Sequence, residues 1–82
     1  MIQRTVRLAI PQGLHARPCS AIAQAMKRFK AHLEIRLGDR TADARSVLEM
    51  MTLTAGEGAE LELVASGEDE AQLLEAVLAL LK

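Results

Sequence analysis

The sequence predicts an α+β fold. It is an open-faced βαββαβα sandwich: a four-stranded, mainly antiparallel sheet with three helices on one face. Three observations lead there. Two-residue alternation recurs at 2–10, 32–37 and 60–65, each time with a single apolar face, the pattern of antiparallel strands covered on one side and solvated on the other. Between and after these stretches the apolar residues move to helical spacing, as at Cys19, Ile22, Ala23 and Met26. Finally, a chain of 82 residues is exhausted by two layers around one small core. No repeat, low-complexity run or linker divides it, so residues 1–82 are expected to be a single domain.

The elements follow in order. From Ile2 to Ile10, Val6, Leu8 and Ile10 alternate with Thr5, Arg7 and Ala9, which makes a half-buried strand. Pro11-Gln12-Gly13 is a loop. Pro18 marks the start of the first helix, because a residue with no N–H is tolerated only in the first turn. That places His15 at the cap and Ala16, Arg17 and Pro18 in the first turn, with the helix running to about Lys30. Leu33, Ile35 and Leu37 alternate with His32, Glu34 and Arg36 in a second strand. Gly38-Asp39 is a two-residue turn of the glycine-first kind, leading to a short third strand from Arg40 to Asp43.

Ser46 with Glu49 three places later has the form of a capping box, opening a short helix to about Met51 or Thr52. Gly56 and Gly58 end the next connection. Leu61, Leu63 and Ala65 alternate with Glu60, Glu62 and Val64 in the last strand. Glu68, Asp69 and Glu70 complement the dipole at the start of the final helix. Its buried stripe is Leu74, Val77, Leu78 and Leu81, widened by Leu73 and Leu80.

Composition excludes several classes of function. The net charge of −1 gives no reason to expect nucleic acid or an acidic membrane surface as partner. A single cysteine cannot form an internal disulfide, which points to a reducing compartment. The N-terminal run carries charges and no apolar signal region, and no apolar stretch approaches membrane-spanning length. A soluble, cytoplasmic protein without membrane insertion is expected.

The chemistry gathers at Gly13-Leu14-His15-Ala16-Arg17-Pro18. The amides of Ala16, Arg17 and Cys19 are expected to face the cap, where the helix dipole adds partial positive charge. Arg17 brings a permanent guanidinium suited to phosphate. The His15 imidazole offers a nucleophilic ring nitrogen at neutral pH. A phosphoryl group carried there would land among those donors, each charge-assisted bond contributing about 1.5–3 kcal/mol. The bland alternative is a histidine that only caps a helix, beside a surface arginine.

At this run the chain resembles HPr, the histidine-containing phosphocarrier family of the bacterial phosphoenolpyruvate:sugar phosphotransferase system. The likeness covers essentially the whole chain, including the Arg45-Ser46 step and Ser66-Gly67-Glu68-Asp69-Glu70. The resemblance implies that His15 is the phosphorylated residue and that Arg17 contacts the phosphoryl group. It implies Enzyme I as donor and sugar-specific IIA proteins as acceptors. In family branches with a dedicated HPr serine kinase/phosphorylase, the residue matching Ser46 is phosphorylated, and this hampers phosphorylation of the histidine. The bland reading of Ser46 is a helix cap contributing about 1 kcal/mol. Gln12 stands where members often have a small polar residue, and Cys19 where alanine is usual.

A helix as short as the second cannot bury Val47, Leu48, Met50 and Met51 together, so some of that apolar surface is expected to stay exposed, and methionine adapts to several partners. The resemblance implies that the patch of Val47, Leu48 and Met51, with Arg17 and the start of the first helix, docks onto Enzyme I and the IIA proteins. The bland reading is core packing, expected for at least one of the methionines. Lys27 and Arg45 form a basic rim to that patch, or are simply solvated. An activated thiol at Cys19 is outweighed by its place at the head of the apolar stripe. Zinc on His15, Cys19 and His32 lacks the spacing and ligand number of a structural site. The expectation is a monomeric phosphocarrier, not an enzyme, with no cofactor and no metal. The alternative is a regulatory protein-binding module of the same fold, in carbon or nitrogen regulation, controlled through Ser46.

Overall fold

The computed structural model describes residues 1–81. The strands are β1 (Ile2–Arg7), β2 (His32–Leu37), β3 (Arg40–Asp43) and β4 (Glu60–Ser66). The helices are α1 (Ala16–Met26), α2 (Val47–Thr52) and α3 (Glu70–Leu81), in the order βαββαβα. The sheet runs β1-β4-β2-β3, and every neighbouring pair is antiparallel. In the register, Val6 faces Leu61, Leu33 faces Ala65 and Ile35 faces Leu63. Leu33, Ile35, Leu61, Leu63 and Ala65 are all buried on the side that the helices cover. From the helices, Ile22, Met26, Met50, Leu74 and Val77 close the core over them.

Four local departures from the pattern stand out. The first strand ends at Arg7 instead of Ile10. Leu8 is still tied to the far connection, donating its N–H to Ala59 and accepting from Gly58, and Gly13 folds back to donate to the Ile10 carbonyl. The first helix ends at Met26, short of Lys30, because the amides of Lys27, Arg28 and Phe29 bond three residues back and tighten the last turn. Val64, expected on the polar face of its strand, is 8% exposed; its cross-strand neighbours Gln3 and Glu34 flank it on the open face. In α3, Leu73 belongs to the core, whereas Leu78 is only half-buried.

The turn from α1 into β2 has no regular pairing of its own, and two distant side chains supply it. The Arg45 guanidinium donates to the carbonyls of Met26, Phe29 and Ala31, at 3.3, 3.1 and 3.3 Å. The Asp69 carboxylate accepts from the amides of Lys30 and Ala31, at 3.0 and 2.8 Å. Donors and acceptors left over by the end of the helix are thus both met.

Candidate functional site

His15 is the N-cap of α1, with φ −124° and ψ −172°, and its side chain makes no capping hydrogen bond. Its carbonyl starts the helix by accepting the Cys19 amide at 3.1 Å. The imidazole is therefore held at a helix start yet left uncommitted, and the residue is half-buried. Pro18 lies buried in the first turn, where its missing N–H costs nothing. Ala16 and Arg17, both exposed, carry the amides for which helix geometry offers no acceptor. Among the described residues Arg17 holds no ion pair. One expectation needs correction. The Cys19 amide is not free to meet an anion, since it is the first donor of the helix ladder. The Cys19 thiol is wholly buried, and desolvation raises its pKa, so it stays a core group.

The segment that delivers His15 rests on the loop after α2. The Leu14 amide donates to the Ala55 carbonyl at 2.9 Å. Gly13 has φ +70°, and a Cβ there would stand 2.1 Å from the same carbonyl oxygen. The backbone approach demands glycine on both counts. Gly56 and Gly58 flag this loop in the sequence, but nothing local marks Ala55 as the seat of the segment before His15. His15 is half-buried and Arg17 exposed, so the two side chains lie open at the surface of the helix start. A site of this shape suits a group exchanged with another protein better than an enclosed small substrate.

The family model for the PTS HPr component phosphorylation site matches residues 2–82. The chain belongs to the HPr family. The phosphocarrier protein HPr of Treponema pallidum (strain Nichols) is 39% identical over 77 residues, covering 94% of this chain and 88% of the relative. The HPr-like protein Crh of Bacillus subtilis (strain 168) is 33% identical over 79 residues, covering 96% and 93%. The crystal structure of a phosphocarrier protein HPr from Bacillus anthracis str. Ames matches with a TM-score of 0.92 at 31% identity, covering 99% and 96%. Sequence pattern, architecture and family thus coincide, and HPr proteins are carriers of phosphoryl groups, not catalysts in the usual sense.

In this HPr-family chain Ser46 is the N-cap of α2, its Oγ accepting the Glu49 amide at 3.2 Å. Only half of the expected capping box forms. The Glu49 carboxylate accepts from the Asp43 amide at 3.0 Å, while the Ser46 amide goes to the Asp43 carbonyl. Beyond the cap, the helix sorts its apolar residues. Met50 is fully buried and Val47 half-buried, whereas Leu48 is 77% and Met51 39% exposed. Lys27 is exposed at the end of α1. Arg45 is also exposed, with its guanidinium held against the carbonyls of the α1–β2 turn. His32 is exposed on the open face of the sheet, whereas Cys19 is buried in the core on the side the helices cover. Among the described residues no group of three or more His, Cys, Asp or Glu side chains could hold a metal ion. No helix among them is long and apolar enough to cross a membrane.

Proposed function

We propose that this protein carries a phosphoryl group on His15, taken from phospho-Enzyme I and passed to a histidine of a sugar-specific IIA protein. The observation that carries this reading is the uncommitted imidazole at the cap of α1, with the exposed Arg17 and two amides without helical acceptors beside it. A ring nitrogen attacks phosphorus as the bond to the donor's phosphohistidine breaks, and the reverse exchange hands the group on. The Ala16 and Arg17 amides, the helix dipole and the Arg17 guanidinium stabilise the dianion while it is held. The partners dock on Leu48, Met51 and Val47, the apolar surface that α2 leaves exposed or half-covered.

A second reading has its own support. Ser46 caps a helix that carries the docking patch, and one close relative is named as an HPr-like protein rather than as HPr. A phosphate added by an HPr serine kinase would place negative charge on that face and repel an acidic partner. The chain would then act chiefly as a regulatory binding module.

Intact mass after incubation with phosphoenolpyruvate and active Enzyme I separates the two. One acid-labile phosphoryl group on the wild type and on Ser46→Ala, absent from His15→Ala, is expected. No transfer to the wild type from a cognate Enzyme I would transfer the proposal to the regulatory module.

A further inference from the structure

Thr54 is a β-branched residue with φ +52°, a backbone region that such residues rarely enter. The strained turn is held from outside. Arg40, at the start of β3, donates one guanidinium N–H to Thr54 Oγ1 at 3.3 Å and lies 3.5 Å from the Thr52 carbonyl. The Thr54 hydroxyl in turn donates to the Leu53 carbonyl at 2.6 Å. The next residue is Ala55, whose carbonyl receives the Leu14 amide and abuts Gly13. Leu14 is joined directly to His15. Two further backbone bonds, Leu8 to Ala59 and Gly58 to Leu8, stitch the same two segments together. Strain persists where the surroundings over-determine it, and it commonly lies beside functional groups.

We infer that Arg40 and Thr54 are positioning residues for His15, acting through the Ala55 carbonyl. The inference rests on His15 being the phosphorylated group. Arg40 holds the left-handed turn at Thr54, the turn sets the direction of the Ala55 carbonyl, and that carbonyl seats Gly13 and Leu14. The imidazole enters the helix start at the angle this seat allows. Neither Arg40 nor Thr54 is assigned a contact with the phosphoryl group, so loosening them changes how often the ring is aimed. The Thr54 side chain makes no bond to α2, and Arg40 reaches only the carbonyl of its last residue, Thr52.

The test uses Arg40→Gln, Arg40→Lys, Thr54→Val and the double variant Arg40→Gln with Thr54→Val in the full chain. Thr54→Val keeps the branched shape and removes the hydroxyl. Two readouts are taken: hydrogen exchange of the Leu14 amide, and the turnover and KM of phosphorylation by Enzyme I. Arg40→Gln and Thr54→Val are each expected to speed Leu14 exchange and to lower turnover about tenfold, with KM for Enzyme I unchanged. Arg40→Lys recovers part of both losses. The double variant is no worse than either single one, because both substitutions break one link.

Unchanged Leu14 exchange in the two single variants would overturn the inference. So would a uniform quickening of all core amides, which is what a purely structural role predicts, or a rise in KM alone. Hydrogen exchange needs no phosphoryl donor, so failure of the wild type to accept phosphate would count against the proposed function and leave this readout standing.

Discussion

Gly13 is the residue on which the site's geometry turns. Its φ of +70° lies in the left-handed region, and any Cβ would collide with the Ala55 carbonyl oxygen. Gly13→Ala therefore meets both a conformational and a steric obstacle. We expect it to destabilise the fold by about 2–4 kcal/mol, measured by urea unfolding, and to slow phosphorylation in the molecules that remain folded. Stability equal to wild type would mean that the 53–58 loop yields easily, and it would weaken the seat described for His15. Cys19 shows the opposite kind of residue. It looks reactive by type and by nearness to His15, yet it is buried with a raised pKa. Alkylation of the native protein should be slow, and rapid only in denaturant.

At the scale of elements, the α1–β2 turn is the place where sequence periodicity says least and side chains do most. The Asp69 pKa is held below its usual value, chiefly by the Lys30 amide and also by the Ala31 amide, against an opposing desolvation. A carboxylate with a lower pKa in the folded state stabilises the fold above its unfolded pKa. That gain is lost as pH falls through the folded value, because the unfolded chain binds the proton first. Wild-type stability should therefore decline from about pH 4 downward. Asp69→Asn should be less stable at neutral pH and fall less steeply in acid. Part of the decline remains, since Glu70 is also depressed, mainly by its bond to the N-terminal amine and then by the Gly67 amide. Urea midpoints followed from neutral pH into acid give the comparison; parallel curves for the two proteins would exclude this role for Asp69.

Across the whole molecule, the shortness of α2 divides function from stability. Met50 and Leu48 are two residues apart, yet one is fully buried and the other 77% exposed. Met50→Ala should cost about 2–5 kcal/mol, because it opens a cavity between α2 and the sheet. Leu48→Ser should change stability by less than about 0.5 kcal/mol while raising the KM for the phosphoryl donor. Urea unfolding and steady-state phosphorylation separate the two effects. A Leu48→Ser protein with an unaltered KM would remove this patch from the docking surface. No other large apolar side chain of the described helices stands out to this degree.

Much of this architecture is legible in the residues because its determinants are local. Alternation marks strands, Pro18 and Ser46 mark helix starts, and Gly38 marks the hairpin, each through its own backbone or its near neighbours. The run from Gly13 to Pro18 likewise announces a cation and an imidazole at a helix start without help from the rest of the chain. The sequence by itself determined the order of elements, the place of His15 at the cap and the fact that α2 could not bury all of Val47, Leu48, Met50 and Met51; the fold decided that Met50 goes in and that Leu48 and Met51 stay out. Only the tertiary structure decided what Arg45, Asp69 and Thr54 do, since their partners lie 14 to 39 residues away in sequence. It also decided that the Cys19 amide is committed to the helix, that Val64 is covered, and that the Ala55 carbonyl supports Gly13 and Leu14. The physical reason is the same in each case. A buried or strained backbone group must find a partner wherever the fold brings one, and residue spacing carries no record of contacts made across the sheet and between loops.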